Sequence, residues 1–288
     1  MEAKTNGYNL TIPISNFNLS YNDVGEGKTP IIFLHGYPFD KSMWQTQFDA
    51  LRASNRLIAC DIRGFGKSKD EATPLSIDLF ANDLIDFMDK LNIDKAIICG
   101  LSMGGFIALN ALKRSPNRFE ALILCDTQCI ADTIEVMSTR HRIIEEIKVD
   151  GVKNFNEWFI KSVFYKDSLI NKKELVQQLG AVVFSNSQHI IIEGLAALAE
   201  RSETCSTLSD IGIPTLIICG RADEVTPLAQ SEFMHKNIKG SVLRVIENAG
   251  HVSNLEEPEE FNKHLREFLT NLSHVEVVGL IANQTTVK

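Results

Sequence analysis

Three residues carry the groups of nucleophilic catalysis at places where a fold could bring them together. Ser102 sits in Gly100-Leu101-Ser102-Met103-Gly104. On the order of one chain in ten of this length holds a Gly-x-Ser-x-Gly pattern by chance, so its context decides. "KAIIC" precedes it and "FIALNALK" follows it, an apolar strand-like run and then a helix-like one. A serine on the sharp turn between a strand and a helix presents its hydroxyl, and glycines flank it because a Cβ would clash there. A phosphate loop would need a Lys-Ser/Thr or Gly-x-Gly-x-x-Gly pattern, which is missing.

A serine hydroxyl is a weak nucleophile until a base takes its proton and a third group orients that base. His251 in "NAGHVSN" follows the strand-like run 241–247, and Asp223 in "GRADEVTP" follows the run 214–220. Ligands and catalysis gather at the carboxyl edge of such a sheet. Asp126 also ends a strand-like run, "ALILC", and rivals Asp223 as the acid. Asp223 is preferred, and Glu224 beside it is the weaker neighbour. His35 in "FLHGYP" reads as a turn-holder in preference to a base. Acyl transfer also needs two N–H groups aimed at the developing oxyanion. The expected donors are the backbone N–H of Met103, at a helix N-terminus, and that of Tyr37, in the loop after the third strand. His141 and His189 lack Cys, Asp or Glu at ligand spacing, and there is no Cys-x-x-Cys. No metal and no cofactor are expected.

The elements that must position these groups follow from hydrophobic pattern. "PIIFLHG" (30–36), "RLIACD" (56–61), "KAIICG" (95–100), "ALILCD" (121–126) and "PTLIICG" (214–220) are continuous apolar runs, the signature of strands buried on both faces of a parallel sheet. "SVLRVIE" (241–247) alternates more, and 9–24 reads as an antiparallel pair at the sheet edge. Helical spacing occupies 77–91, 103–114, 228–238 and 258–272, the first with Ile77, Phe80, Leu84, Phe87, Met88 and Leu91 on one face. Strands alternating with helices predict an α/β fold. The alternation breaks between about 130 and 205, where four helical patterns and no strand occur. These predict a helical cap, or lid, over 129–205, with a core formed by 1–128 and 206–273 and a tail of unassigned structure at 274–288. Trp158 in the cap and Val252 beside His251 are the expected pocket residues.

The net charge of −8 argues against nucleic acid and against a polybasic membrane surface as partner. "MEAKTNGYNLTIPIS" has no basic stretch followed by an apolar one, as a signal peptide would. No apolar run approaches the roughly 18 residues of a membrane span. Cys60, Cys99, Cys125 and Cys219 end apolar runs, where a reduced thiol behaves as a small hydrophobe. With Cys129 and Cys205 they are expected as free thiols in a cytoplasmic protein.

The segments "FLHGYP" (33–38), "CDIRGFGKS" (60–68), "GLSMGG" (100–105), "GRADEVTP" (220–227) and "AGHVSNLEEPEEF" (249–261) together resemble the α/β-hydrolase superfamily, in its order and across the whole core. Within it, "DIRGFGKS" joined with "GLSMGG" and "HVSNLEEPEEF" is most similar to 3-oxoadipate enol-lactonases and related esterases, including those once called non-haem haloperoxidases. The resemblance implies a mostly parallel eight-stranded sheet with a helical lid inserted after strand 6. It also implies hydrolysis of a small-molecule ester or lactone by a Ser102, Asp223, His251 triad. Enol-lactonases act on an anionic substrate, so a basic residue should reach the pocket, but the sequence does not say which. Relatives that are haloalkane dehalogenases or epoxide hydrolases carry Asp where this chain has Ser102. Three alternatives use the same fold: carbon–carbon bond hydrolysis, thioester hydrolysis, and ligand reception with slow hydrolysis.

Overall fold

The computed structural model describes residues 6–285, with side chains to residue 272; the first five and last three residues, the end of the tail among them, lie outside it. Its sheet has eight strands: β1 Gly7–Ile14, β2 Phe17–Val24, β3 Ile31–Leu34, β4 Leu57–Cys60, β5 Ala96–Leu101, β6 Phe119–Cys125, β7 Thr215–Gly220 and β8 Val242–Ile246. They lie in the order β1-β2-β4-β3-β5-β6-β7-β8. β1 and β2 are antiparallel, as is β2 on β4, and every later pairing is parallel. The continuous apolar runs are the central strands: every residue of β3, β4, β5 and β7 is buried.

Connections of fixed hand then dictate the layers. The helices are α1 Gln45–Leu51, α2 Ile77–Lys90, α3 Met103–Arg114, α4 Ile134–Asp150, α5 Lys153–Val163, α6 Lys166–Asn171, α7 Lys173–Phe184, α8 Gln188–Ala199, α9 Leu228–Asn237, α10 Ser253–Glu256 and α11 Pro258–Thr285. From β3 the chain runs through α1 to β4 on one side, then through α2 to β5 on the other. Right-handed crossovers in opposite directions put α1 and α3 on opposite faces. α2 packs on α3, and α1 packs on α11. The apolar face read in α2 is buried as expected, from Ile77 through Met88. Ser76 caps that helix, its hydroxyl accepting the Leu79 N–H at 3.1 Å. The strand order reverses about β3, which makes the carboxyl edge beside it the natural position for a site.

Between β6 and β7 the chain is helical, α4 to α8. The sequence pattern predicts four helices there and the structure has five. α6 spans only six residues, too few for periodicity to register. Among the described residues no single helix is long and apolar enough to cross a membrane.

The expectation of six free thiols is corrected. Cys60, Cys99, Cys125 and Cys219 are buried and free, but Cys129 and Cys205 form a disulfide across a sequence separation of 76. Cys129 follows β6 and Cys205 opens the turn leading toward β7. The chain comes back beside the end of β6 before the turn Cys205–Asp210 carries it to the start of β7, so the two ends of the insert meet, and the Thr204 N–H donates to the Cys129 carbonyl at 2.8 Å. So long a separation leaves no local spacing to read.

Candidate active site

Ser102 occupies the turn from β5 into α3 with φ +53°, a left-handed conformation that costs a non-glycine residue on the order of 1–3 kcal/mol. Its surroundings hold it there. Its N–H donates to the Cys125 carbonyl at 2.9 Å, and its own carbonyl accepts the Thr127 hydroxyl at 2.8 Å. The flanking glycines are steric requirements: a Cβ on Gly100 would overlap the Gly104 carbonyl, and one on Gly104 would overlap that of Leu34.

His251 Nε2 lies 2.8 Å from Ser102 Oγ, and its Nδ1 lies 2.9 Å from Asp223 Oδ2. Asp223 also accepts the N–H groups of Val225 and Thr226 at 2.8 and 2.9 Å and the Thr226 hydroxyl at 2.7 Å. Burial opposes charge on His251, but the Asp223 carboxylate and its hydrogen bond outweigh it and hold the imidazole above its ordinary value. Burial likewise works against the Asp223 anion, and the charge and hydrogen bonds of His251, with the Thr226 donors, hold it below the ordinary carboxylate value. The rival acid, Asp126, is buried nearby and bonds to Gly220 and Ser253, with no hydrogen bond to His251 among the described residues. The His251 loop is fixed from the insert, since its N–H donates to the Val163 carbonyl at 2.8 Å. Glu256 braces the same loop, accepting the Gly250 N–H at 2.6 Å and the Tyr165 N–H at 2.8 Å.

Neither the Met103 nor the Tyr37 N–H has a protein acceptor among the described residues. Met103 is the first residue of α3, whose leading N–H groups are free by geometry. A Cβ on Gly36, next to Tyr37, would stand 3.2 Å from Ser102 Cβ, so that backbone runs close to the hydroxyl. The Tyr37 phenol donates to the Ile191 carbonyl at 2.8 Å, joining core to insert. His35 is buried and uncharged: Nε2 accepts the Ile62 N–H and Nδ1 donates to the Gly36 carbonyl, both at 2.9 Å. It holds a turn.

The three groups open on a cavity of about 380 Å³. Tyr37, Ser102, Phe106, Thr226 and His251 form its core side, and α4, α5 and α8 its roof. Trp158 lines it, 56% exposed and so at the rim. Val252 does not: it is fully buried at the start of α10. Thr226 and Val225 stand at the cavity instead. Arg140 is the one lysine or arginine among the described lining residues. Its Nε bonds Asp132 at 2.5 Å, and Arg201 bonds the same carboxylate at 2.6 Å, so two cations share one anion. Thr226 was missed in the sequence although "GRADEVTP" contains it; Arg140 carried no signal beyond its charge.

A profile of the alpha/beta hydrolase family matches residues 31–264. The chain belongs to the alpha/beta hydrolase family. This alpha/beta hydrolase is 31% identical over 255 residues to 3-oxoadipate enol-lactonase 2 of Acinetobacter baylyi, a match spanning 88% of this chain and 93% of that one. Its fold superposes on a thermophilic esterase from Thermogutta terrifontis with a TM-score of 0.85 at 30% identity, covering 89% of this chain and 94% of the esterase. It superposes on an enol-lactonase from Burkholderia xenovorans with a TM-score of 0.84 at 25% identity, covering 90% and 99%.

Proposed function

We propose that this hydrolase cleaves carboxylic esters or lactones through an acyl-enzyme on Ser102. The observation that carries the reading is the continuous relay from Asp223 through His251 to Ser102, with links of 2.9 and 2.8 Å, opening on a cavity. His251 Nε2 takes the Ser102 proton as Oγ attacks the carbonyl carbon. Asp223 holds the imidazole in the tautomer whose Nε2 is free and stabilises the imidazolium that forms. The N–H groups of Tyr37 and Met103 receive the oxyanion. His251 returns the proton to the leaving alkoxide, and water repeats the sequence on the acyl-serine. In a lactone the alkoxide stays tethered and the product is one hydroxy acid. No step needs a cofactor. Because His251 must be neutral to act, hydrolysis gives out on the acid side at a pH above the ordinary histidine value.

The substrate reading is an ester or lactone that itself bears a carboxylate. Arg140 supports it as the one cation lining the cavity, with Asp132 shared between it and Arg201; Glu224 also lines the cavity, with no ion pair to Arg140 among the described residues. The likeness to two enol-lactonases agrees. Ser102→Ala, assayed with p-nitrophenyl acetate, tests the nucleophile. The variant loses about 10⁴-fold or more in kcat, and wild-type turnover would refute the assignment. A panel of lactones, aryl esters, thioesters and carbon–carbon ring-fission substrates tests the bond cleaved.

A further inference from the structure

We propose that Asp126 is a positioning residue for the triad: a buried carboxyl group that works in its neutral form as a clamp between the loop carrying Asp223 and the loop carrying His251. The inference rests on the triad reading above. Asp126 follows β6, is wholly buried, and has φ +44°, a conformation an aspartate adopts only when its surroundings hold it. Its N–H donates to the Ile218 carbonyl at 2.9 Å. Oδ1 accepts the N–H of Gly220 at 2.8 Å, the last residue of β7, from which the chain turns to Asp223. Oδ2 lies 2.5 Å from Ser253 Oγ and 3.3 Å from its N–H, in the turn that follows His251. One side chain at the end of β6 thus ties the chain leaving β7, which carries Asp223, to the chain beyond β8, which carries His251.

The ligand atoms of Asp126, Cys219 and Asp223 all lie within 4.8 Å of one another and are buried. Two carboxyl groups so close and so dry do not both ionise at neutral pH. Asp223 takes the charge, because it has His251 and the Val225 and Thr226 donors. Asp126 has no cation in contact and keeps its proton: burial first, and then the charge on Asp223, raise it to about 8. The oxygens of both groups already accept N–H and O–H donors, so they are not arranged to ligate a metal ion; on Asp126 these donors oppose the proton, and burial and the charge on Asp223 outweigh them. The other titratable groups facing Asp126 are the Cys125 thiol from β6, the Cys219 thiol from β7, and His251. Burial keeps both thiols protonated. Glu256 acts on His251 from α10. Loss of the Asp126 proton sets a second negative charge beside Asp223, and the repulsion between the two buried carboxylates loosens the clamp on the alkaline side.

The test measures kcat and KM for p-nitrophenyl acetate against pH in wild type, Asp126→Asn and Asp126→Ala, with fluorophosphonate labelling of Ser102 as a second readout. Asparagine is the uncharged isostere: its carbonyl accepts the Gly220 N–H, and its NH₂ donates to the Ser253 hydroxyl, which turns to accept it. It should keep kcat within about threefold at neutral pH and lose an alkaline fall that wild type shows near pH 8. Alanine should lose at least about tenfold in kcat and in labelling rate, with KM within about threefold, because the machinery is displaced and binding is not. An alanine variant with wild-type kcat overturns the clamp. An asparagine variant as impaired as alanine, or one that keeps the alkaline fall, overturns the neutral form. If alanine does not fold, Ser253→Ala removes one arm alone, and undiminished kcat in that variant overturns the clamp. Activity surviving in Ser102→Ala defeats the triad reading itself. Loss there with untouched Asp126 variants defeats only the clamp.

Discussion

Asp223→Asn separates orientation from structure at this site. The amide oxygen can still accept the Val225 and Thr226 N–H groups, now bonded at 2.8 and 2.9 Å, so the loop keeps its shape. The NH₂ replaces Oδ2, which faces His251 Nδ1 at 2.9 Å and the Thr226 hydroxyl at 2.7 Å. A donor there pairs only with an unprotonated Nδ1. The imidazole proton moves to Nε2, 2.8 Å from Ser102 Oγ, and the nitrogen that should take the serine proton then presents one instead. The imidazolium also loses its counter-charge. An exchange of this kind in a serine triad costs about 10⁴-fold in kcat, about 5.5 kcal/mol of barrier. Steady-state hydrolysis of p-nitrophenyl acetate at neutral pH, with thermal melting alongside, reads both quantities. The expected result is a collapse of kcat with a melting temperature close to wild type. Retention of more than about a tenth of wild-type kcat would refute the argument. A larger loss in Asp126→Asn than in Asp223→Asn would transfer the acid role to Asp126.

Three further outcomes follow from the geometry. Burial, and then the charge on Asp223, raise Asp126 to about 8, so between an ordinary carboxylate value and that one the folded chain holds a proton the unfolded chain has released. The stability this confers is complete below the unfolded value and lost as pH rises through the folded one. The difference in melting temperature, Asp126→Asn minus wild type, should therefore grow from about pH 4 to about pH 8 and then level; a constant difference contradicts the assignment. Replacing Cys129 and Cys205 by serine frees a loop with a sequence separation of 76, for which chain entropy sets a loss near 4.5 kcal/mol and measured cases run about 2–4. Urea melts of the variant, and of wild type under dithiothreitol, should agree, and an unshifted midpoint would show the bridge to be idle. Arg140→Ala should raise KM for a carboxylate-bearing ester about 10- to 100-fold, the worth of a charge-assisted hydrogen bond, with a far smaller effect on p-nitrophenyl acetate; equal effects on both would remove Arg140 from substrate recognition.

The strands and the candidate site were legible in the sequence because burial on both faces of a parallel sheet writes continuous apolar runs, because Ser102 and Asp223 follow such runs closely, and because His251 follows the more alternating run 241–247. What the sequence left open was direction in space. Asp126 and Asp223 both lie beyond strand ends, and only the fold shows which carboxyl reaches the imidazole. Val252 adjoins His251 in the chain yet is fully buried just before α10 begins and is not among the cavity's lining residues. The disulfide and Arg140 became visible only when the ends of the insert met and α4 was laid across the site. Short α6 escaped notice for want of length.

The meeting of Cys129 and Cys205 makes residues 130–204 a cassette with its two ends soldered to one post. Exchanging such a segment for another of different length and side chains should change what the cavity admits, because α4, α5 and α8 line it. One clause of the contract is not negotiable. The His251 N–H takes its acceptor from Val163 inside the cassette, so a transplanted segment must bring a backbone carbonyl to that spot or leave the His251 loop adrift.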